Sequence, residues 1–275
     1  MNTTAKTKIC MVIGDPVEHS LGPQLYNTVY EKMGIDDEYI YVAARVKSAD
    51  IEKALNGIRA FGIRSAAVTV PHKTAVMEFL DEIDETARKI GAVNTIINDN
   101  GKLKGYNTDW LGVINALEMY TAVADKNIAV LGSGGAARGA VYGLTKRGAK
   151  VTIFNRTLDK AKQLADEFNC EYASLDNPEG IKDMDIIFNA TSVGLHPHAD
   201  KTPLPKIYIN KNHIVFDAVY SPFDTQLLKD ADEQGATVIH GLDMLLYQGV
   251  EQFKLSTGHD APVDIMRKVL QEHAR

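Results

Sequence analysis

The chain has 275 residues, 30 Lys plus Arg against 36 Asp plus Glu (net charge −6), 45% hydrophobic and 24% charged residues. Such proportions belong to a folded globular protein of one large or two medium domains; they exclude disordered, collagen-like and disulfide-scaffold classes, and the mild acidity supplies no broad field for nucleic acid or an anionic membrane. Two distant cysteines without a CxxC partner, Cys10 and Cys170, fit a reduced cytoplasmic setting, and no apolar run suits a signal peptide or a membrane span. The first predicted strand is Lys8–Ile13, followed by a helix from Pro23 to Met33, with Pro at its start and Gly34 just past its end. A strand over Tyr39–Arg45 and a helix over Ala49–Phe61 come next, then a strand over Ala66–Val70 that Pro71 ends. Helical pieces over Lys73–Leu80 and Glu85–Ile90 lead to a strand over Asn94–Asn98. The turn Asn98-Asp99-Asn100-Gly101 predicts that Lys102–Gly105 pairs back antiparallel, because Asn and Gly tolerate positive φ. Strand–helix alternation with one such hairpin predicts an α/β fold with a mixed sheet.

The helix Asp109–Met119 reads as the domain junction. Beyond it, the apolar strand Ile128–Leu131 runs straight into Gly132-Ser133-Gly134-Gly135-Ala136-Ala137, and a helix follows to about Arg147. Strand, glycine turn and helix start together form the dinucleotide-binding context. Gly132 permits the tight turn, Gly134 lets backbone approach a pyrophosphate, and the helix start offers N–H groups to the anion. The next strand, Val151–Phe154, ends in Asn155-Arg156-Thr157, with Lys160 one turn further on. An NAD site usually carries Asp or Glu at this point. A guanidinium, a hydroxyl and an ammonium suit a 2′-phosphate instead, so the cofactor read from the sequence is NADP(H). A helix over Leu158–Phe168, strands over Asp185–Asn189, Ile214–Asp217 and Thr237–Ile239, and helices over Asp243–Ser256 and Val263–His273 complete the chain.

Four first-half segments place small polar groups where a strand hands over to a turn or helix. They are Gly14-Asp15-Pro16-Val17-Glu18-His19-Ser20-Leu21-Gly22-Pro23, Val68-Thr69-Val70-Pro71-His72-Lys73, Gly91-Ala92-Val93-Asn94-Thr95 and Gly105-Tyr106-Asn107-Thr108-Asp109. Strand ends are where α/β folds collect ligand groups. Lys73 and Asp109 suit acid–base chemistry on an alcohol or carbonyl, since an ammonium can donate to a developing alkoxide and a carboxylate can orient it. The same two residues also fit a solvated surface lysine and an acid at a helix start. His196-Pro197-His198 makes a poor metal cage without Cys or an acid cluster, so no metal is expected.

These segments, the glycine loop, Asn189-Ala190-Thr191-Ser192-Val193-Gly194 and Gly241…Met244-Leu245…Gln248 resemble, in this order and over nearly the whole chain, the shikimate dehydrogenase family. The resemblance implies two domains. Residues 1–108 would form a mixed-sheet substrate-binding and catalytic domain, to which residues 242–275 return, and residues 109–241 a Rossmann NADP-binding domain. It further implies Lys73 and Asp109 as the catalytic pair. Ser20, Thr69, Asn94, Tyr220 and Gln248 would hold the substrate carboxylate and hydroxyls, with Gly22 beside them. Gly132, Ser133, Gly134, Gly135, Ala136, Asn155, Arg156, Thr157 and Lys160 would hold the cofactor phosphates, and Ala218 and Gly241 the nicotinamide side. The implied activity is reversible NADP-dependent reduction of 3-dehydroshikimate to shikimate, a step toward chorismate and the aromatic amino acids. The expected protein is a cytoplasmic monomer or homodimer with a small-molecule substrate and no nucleic-acid or membrane partner. Two positions depart from the family pattern: Gly22 replaces the second serine of Ser-x-Ser-Pro, and Ala67 replaces the Asn of Asn-Val-Thr-Val-Pro. A missing side chain at position 22 could make room for the extra ring hydroxyl of quinate, so a quinate/shikimate dehydrogenase, or a relative acting on a modified ring, is the alternative. A non-catalytic NADP(H)-binding sensor is the other, and the presence of both Lys73 and Asp109 argues against it.

Overall fold

The computed structural model describes residues 2–273 and lays the strand–helix alternation into two six-stranded sheets. The outermost residues of the expected first domain, Met1 and 274–275, lie outside the described residues. The chain divides into two units, one formed by residues up to Thr108 together with Gly249–His273, the other by Asp109–Gln248.

In the first unit the elements are β1 (Lys8–Gly14), α1 (Gly22–Met33), β2 (Tyr39–Arg45), α2 (Ile51–Ala60), β3 (Ser65–Val68), a short β4 (Glu82–Ile83), α3 (Glu85–Ile90), β5 (Thr95–Asp99) and β6 (Lys102–Tyr106). The sheet order is β2-β1-β3-β5-β6-β4, with β1 parallel to β2 and β3, and β5 antiparallel to both neighbours. This is the mixed sheet expected from the hairpin. Asn100 and Gly101 both take positive φ (56° and 89°), the two-residue turn that matches strand twist. Asp84 caps α3 by accepting from the Thr86 and Ala87 N–H groups. The stretch expected as a helix over Lys73–Leu80 is only a 3-10 turn, Ala75–Phe79. Its Val76 joins Ile51, Leu55 and Ile58 of α2 in one apolar cluster, and no side chain caps its start.

The second unit contains α4 (Asp109–Glu118), β7 (Asn127–Leu131), α5 (Gly135–Lys146), β8 (Lys150–Asn155), α6 (Leu158–Phe168), β9 (Glu171–Ser174), β10 (Ile186–Asn189), β11 (Ile214–Asp217), α7 (Gln226–Glu233) and β12 (Thr237–Ile239). Its sheet is parallel throughout, in the order β12-β11-β10-β7-β8-β9. The chain builds outward from β7 through β8 to β9, then crosses to β10 on the other side of β7. That reversal is the topological switch point of the doubly wound Rossmann order, where ligands meet the carboxyl ends of strands. Ile128, Ala129, Val130 and Leu131 are all buried because helices cover both faces of such a sheet. Two elements have no counterpart among the sequence expectations. Strand β9 lies at the edge, where Glu171 and Tyr172 are exposed and no apolar run marks it, and α7 follows a Pro- and Asp-containing loop that masks its start at Thr225.

Helix α8 (Gly241–Thr257) starts in the second unit and passes into the first at Gly249, followed there by α9 (Val263–His273). Within the first unit, Tyr30 of α1 meets Phe253 of α8 with ring centroids 5.9 Å apart. No helix among the described residues is long and apolar enough to cross a membrane.

Candidate active site

In the first unit, four strand ends converge. The ends of the parallel strands β1 and β3 lie side by side, β5 runs antiparallel to β3 so that its start lies beside the end of β3, and the end of β6 lies beside the start of β5. Thr69 follows β3 with its N–H on the Ile13 carbonyl at 2.9 Å. Its methyl occupies the space a side chain at Gly14 would need, so that glycine is a requirement of the turn. Lys73 stands half-buried four residues on, its carbonyl accepting from the Val93 N–H at 2.7 Å. His72, before it, is buried with Nε2 2.6 Å from the Val46 carbonyl. That contact holds its ring against the backbone.

Asn94 is 2% exposed and its side chain is held from three directions. Oδ1 accepts from the Thr108 N–H and the Thr95 hydroxyl, both at 2.8 Å, and Nδ2 donates to Thr108 Oγ1 at 3.0 Å. Behind it stands Gln252 of α8, donating from Nε2 to Thr95 Oγ1 at 3.0 Å and to the Asn94 carbonyl at 3.3 Å, while its Oε1 accepts from Tyr26 at 3.0 Å. Gln252 is not among the residues expected at the site. Its signal is its place one helical turn beyond Gln248, on the same face of α8.

Ser20 is half-buried, and its hydroxyl accepts from the Gly22 N–H at 3.2 Å. The space at Gly22 is already taken. A Cβ there would lie 2.9 Å from Tyr41 Cε1, 3.3 Å from Ser20 Oγ and 3.5 Å from Tyr41 Cζ. The Tyr41 ring is stacked on Tyr26 with centroids 4.5 Å apart, and Asn27 brackets its backbone with two 2.8 Å bonds. The room expected from the missing serine is therefore absent, because a pinned aromatic ring fills it. Ala67, the other departure, sits within β3 opposite Thr95.

In the second unit, Asp109 opens α4, so it is an acid at a helix start, and it is only 3% exposed. One turn on, Gly112 lets α4 approach α8: a Cβ there would lie 2.7 Å from the Met244 carbonyl and 3.0 Å from Gln248 Cβ. Asp109 and the half-buried Gln248 thus belong to two helices in backbone contact.

After β7, Gly132 takes φ +105° and donates its N–H to the Phe154 carbonyl at 2.8 Å. Gly134 stands extended before α5, which has no side-chain cap; a Cβ at Gly134 would find nothing within 4 Å. Ser133, Gly135 and Ala136 are half-buried around it. A helix start with uncapped N–H groups and open space before it is a cradle for an anion. The register Leu131↔Phe154 sets the end of β8 beside this loop. There Asn155 Nδ2 donates to the Thr157 carbonyl at 2.9 Å, and Arg156, Thr157 and Lys160 are exposed. With Asn155 rather than an acid closing the strand and the cationic Arg156 and Lys160 following it, the residues fit a phosphorylated ribose.

At the end of β11, the Ala218 and Val219 carbonyls lie 2.8 and 2.7 Å from where a Cβ of Gly241 would be, so only glycine admits this approach. Ala218 and Tyr220 are half-buried. Beside them Asp217 is wholly buried, with bonds from Asn189, Val219 and Thr225; burial pushes its carboxyl up to about 6 against the downward pull of those bonds. In the sequence, Asp217 is marked only as the end of a strand.

Three family profiles match the chain. "Shikimate dehydrogenase substrate binding domain" covers residues 12–96, "Shikimate / quinate 5-dehydrogenase" residues 115–217 and "Shikimate 5'-dehydrogenase C-terminal domain" residues 241–271. The shikimate dehydrogenase (NADP(+)) of Methanothermobacter thermautotrophicus is 41% identical, over 98% of this chain and 97% of that protein. The protein of the same name from Pyrococcus furiosus is 44% identical, over 96% of this chain and 95% of that protein. A crystal structure of a shikimate dehydrogenase in complex with NADP+ superposes with a TM-score of 0.92 at 39% identity, covering 99% of this chain and 97% of that one. Near-complete coverage at such identity, on a fold whose strand ends carry the expected residues, places this chain in the shikimate dehydrogenase family.

Proposed function

We propose that this chain is an NADP-dependent shikimate dehydrogenase, reversibly reducing 3-dehydroshikimate to shikimate in a cytoplasmic setting. The observation that carries the reading is that each unit gathers one half of the required chemistry at the ends of its strands. The first collects Ser20, Thr69, Lys73 and Asn94; the second carries the glycine loop with Arg156 beside it. Gly132, Ser133, Gly134, Gly135 and Ala136 would hold the pyrophosphate, and Asn155, Arg156, Thr157 and Lys160 the 2′-phosphate, leaving Ala218 and Gly241 toward the nicotinamide. NADP(H), when bound, supplies or takes up the hydride at the ring carbon.

The remaining chemistry belongs to the protein. Lys73 donates a proton to the carbonyl oxygen as it becomes a hydroxyl, and recovers it in the reverse direction. Asp109 accepts from the substrate hydroxyl and orients it, a task suited to a carboxylate withdrawn from water. Ser20, Thr69, Asn94, Tyr220 and Gln248 supply hydroxyl and amide groups for the substrate's carboxylate and hydroxyls. Beside Gly22, the phenol edge of Tyr41 stands where the family pattern has a serine. This filled space favours shikimate over quinate, whose extra hydroxyl would need the room.

The test mixes purified protein with NADP+ or NAD+ and with shikimate or quinate in turn. NADP+ and shikimate are expected to give the highest kcat/KM, and a higher value for quinate would overturn the substrate. Lys73→Ala is expected to lower kcat by about a hundredfold or more, the low end for lost acid–base catalysis, with NADPH affinity unchanged. An unaltered kcat would remove the lysine from the reaction.

A further inference from the structure

In the second unit, the loops that follow β7, β10, β11 and β12 are tied to one buried carboxylate with no part in the proton or hydride transfer. Asp217 Oδ1 accepts from Asn189 Nδ2 at 2.8 Å and from the Val219 N–H at 2.9 Å; Oδ2 accepts from the Thr225 hydroxyl at 2.6 Å. All three partners donate, as an ionised carboxylate demands. The ties then run outward. Asn189 Oδ1 accepts from the N–H and the hydroxyl of Thr191 at 3.0 and 2.7 Å, and Thr191 Oγ1 accepts from the Val193 N–H at 3.1 Å. The Thr191 methyl lies 2.9 Å from the Cβ position of Gly132, so the turn after β10 rests directly on the first glycine of the anion cradle. On the other side, the bond to the Val219 N–H holds the turn whose Ala218 and Val219 carbonyls press on Gly241. Thr225 also caps α7, accepting from the Leu228 N–H at 3.3 Å.

A buried polar cluster of this kind is not a cheap way to stabilise a sheet, since apolar residues of similar volume often do as well or better. What it supplies is direction: each bond fixes one loop relative to the others. We propose that Asp217 is a positioning residue for the nicotinamide end of the cofactor site. It acts through Asn189 and Thr191 on Gly132, and through the Val219 N–H on Ala218 and Gly241. The proposal rests on the NADP-dependent reading above. The two are tested separately, because turnover of shikimate by the wild-type protein examines that reading, whereas NADPH binding examines this one.

Asp217→Asn keeps the side-chain size but sets an NH2 group against the Thr225 hydroxyl or the other two donors. For a variant with wild-type circular dichroism, the Kd for NADPH, read by fluorescence titration, is expected to rise about tenfold or more, the cost of one lost bond to a charged group. kcat is expected to fall with it, while the KM for shikimate stays near the wild-type value. Thr225→Val, which lacks the hydroxyl, should reproduce the effect, and Thr225→Ser, which keeps it, should restore wild-type binding. That pair decides the matter if Asp217→Asn does not fold. A purely structural role would lower the melting temperature alone. Folded variants with wild-type NADPH affinity and kcat, or equal affinities for Thr225→Val and Thr225→Ser, would overturn the proposal.

Discussion

Position 22 and Tyr41 are coupled by volume. The ring edge stands 2.9 Å from the Cβ that any side chain at position 22 would bring, and stacking on Tyr26 keeps it there. Gly22→Ser, which restores the family residue, is therefore expected to harm this protein. Overpacking should cost about 1–3 kcal/mol in denaturant unfolding, and the KM for shikimate should rise while the KM for NADPH holds. A variant with unchanged stability and KM would show that the ring yields freely. Asp217 makes a second prediction at this scale. Its carboxyl moves from an ordinary 3.8 to about 6 in the folded protein, so the folded state keeps a proton that the unfolded chain has released. The stabilising contribution is full below about pH 4 and is lost as pH rises through about 6, roughly 3 kcal/mol in all. The difference in unfolding free energy between wild type and Asp217→Asn, measured at about pH 4.5 and about pH 7.5, should shift against the wild type at the higher pH. A pH-independent difference would contradict the assignment.

Helix α4 carries Asp109, and α8 carries Gln248. A glycine inside a helix costs about 1 kcal/mol relative to alanine, so Gly112 needs a reason, which the crossing supplies. The Met244 carbonyl, 2.7 Å from a Cβ at position 112, is backbone and cannot swing aside. Gly112→Ala should therefore destabilise the protein by about 1–3 kcal/mol despite its better helix propensity. Because it spreads the two helices, kcat should fall as well. Equal or greater stability by guanidinium unfolding would dismiss the crossing as the reason for the glycine. Gly143 of α5 plays a similar part against α4, where a Cβ would lie 3.0 Å from Ile114 Cγ1 and 3.2 Å from the Trp110 carbonyl. Elements with strong local signals were legible in advance: α6, β11, β12 and α9 fall on the expected residues, as does the hairpin of β5 and β6. Edge strand β9 and helix α7 were not, since exposure leaves the first without an apolar pattern and a Pro- and Asp-containing loop hides the start of the second.

At the scale of the whole molecule, the C-terminal return completes the first unit's core. Phe253 is wholly buried against Tyr30, and Gln252 closes the network behind Asn94 from a place more than 150 residues away in the chain. Phe253→Ala is expected to cost about 3–5 kcal/mol. Hydrogen exchange should show the loss in α1 and β5, while NADPH binding, which we propose for the second unit, persists. Protection lost only within α8 would show that the return is not part of that core.

The amino-acid order by itself determined the alternating α/β plan, the mixed hairpin sheet, the glycine loop and the cationic strand end. All of these rest on interactions among residues a few positions apart, namely turn chemistry, apolar periodicity and helix starts. Only the tertiary structure decided that Asp109 is withdrawn from water, that Tyr41 fills the place left at Gly22, that Gln252 stands behind Asn94, and that Asp217 ties the loops after four strands. Burial and side-chain partnership arise from packing between distant stretches of chain, and no local pattern of residues carries that information.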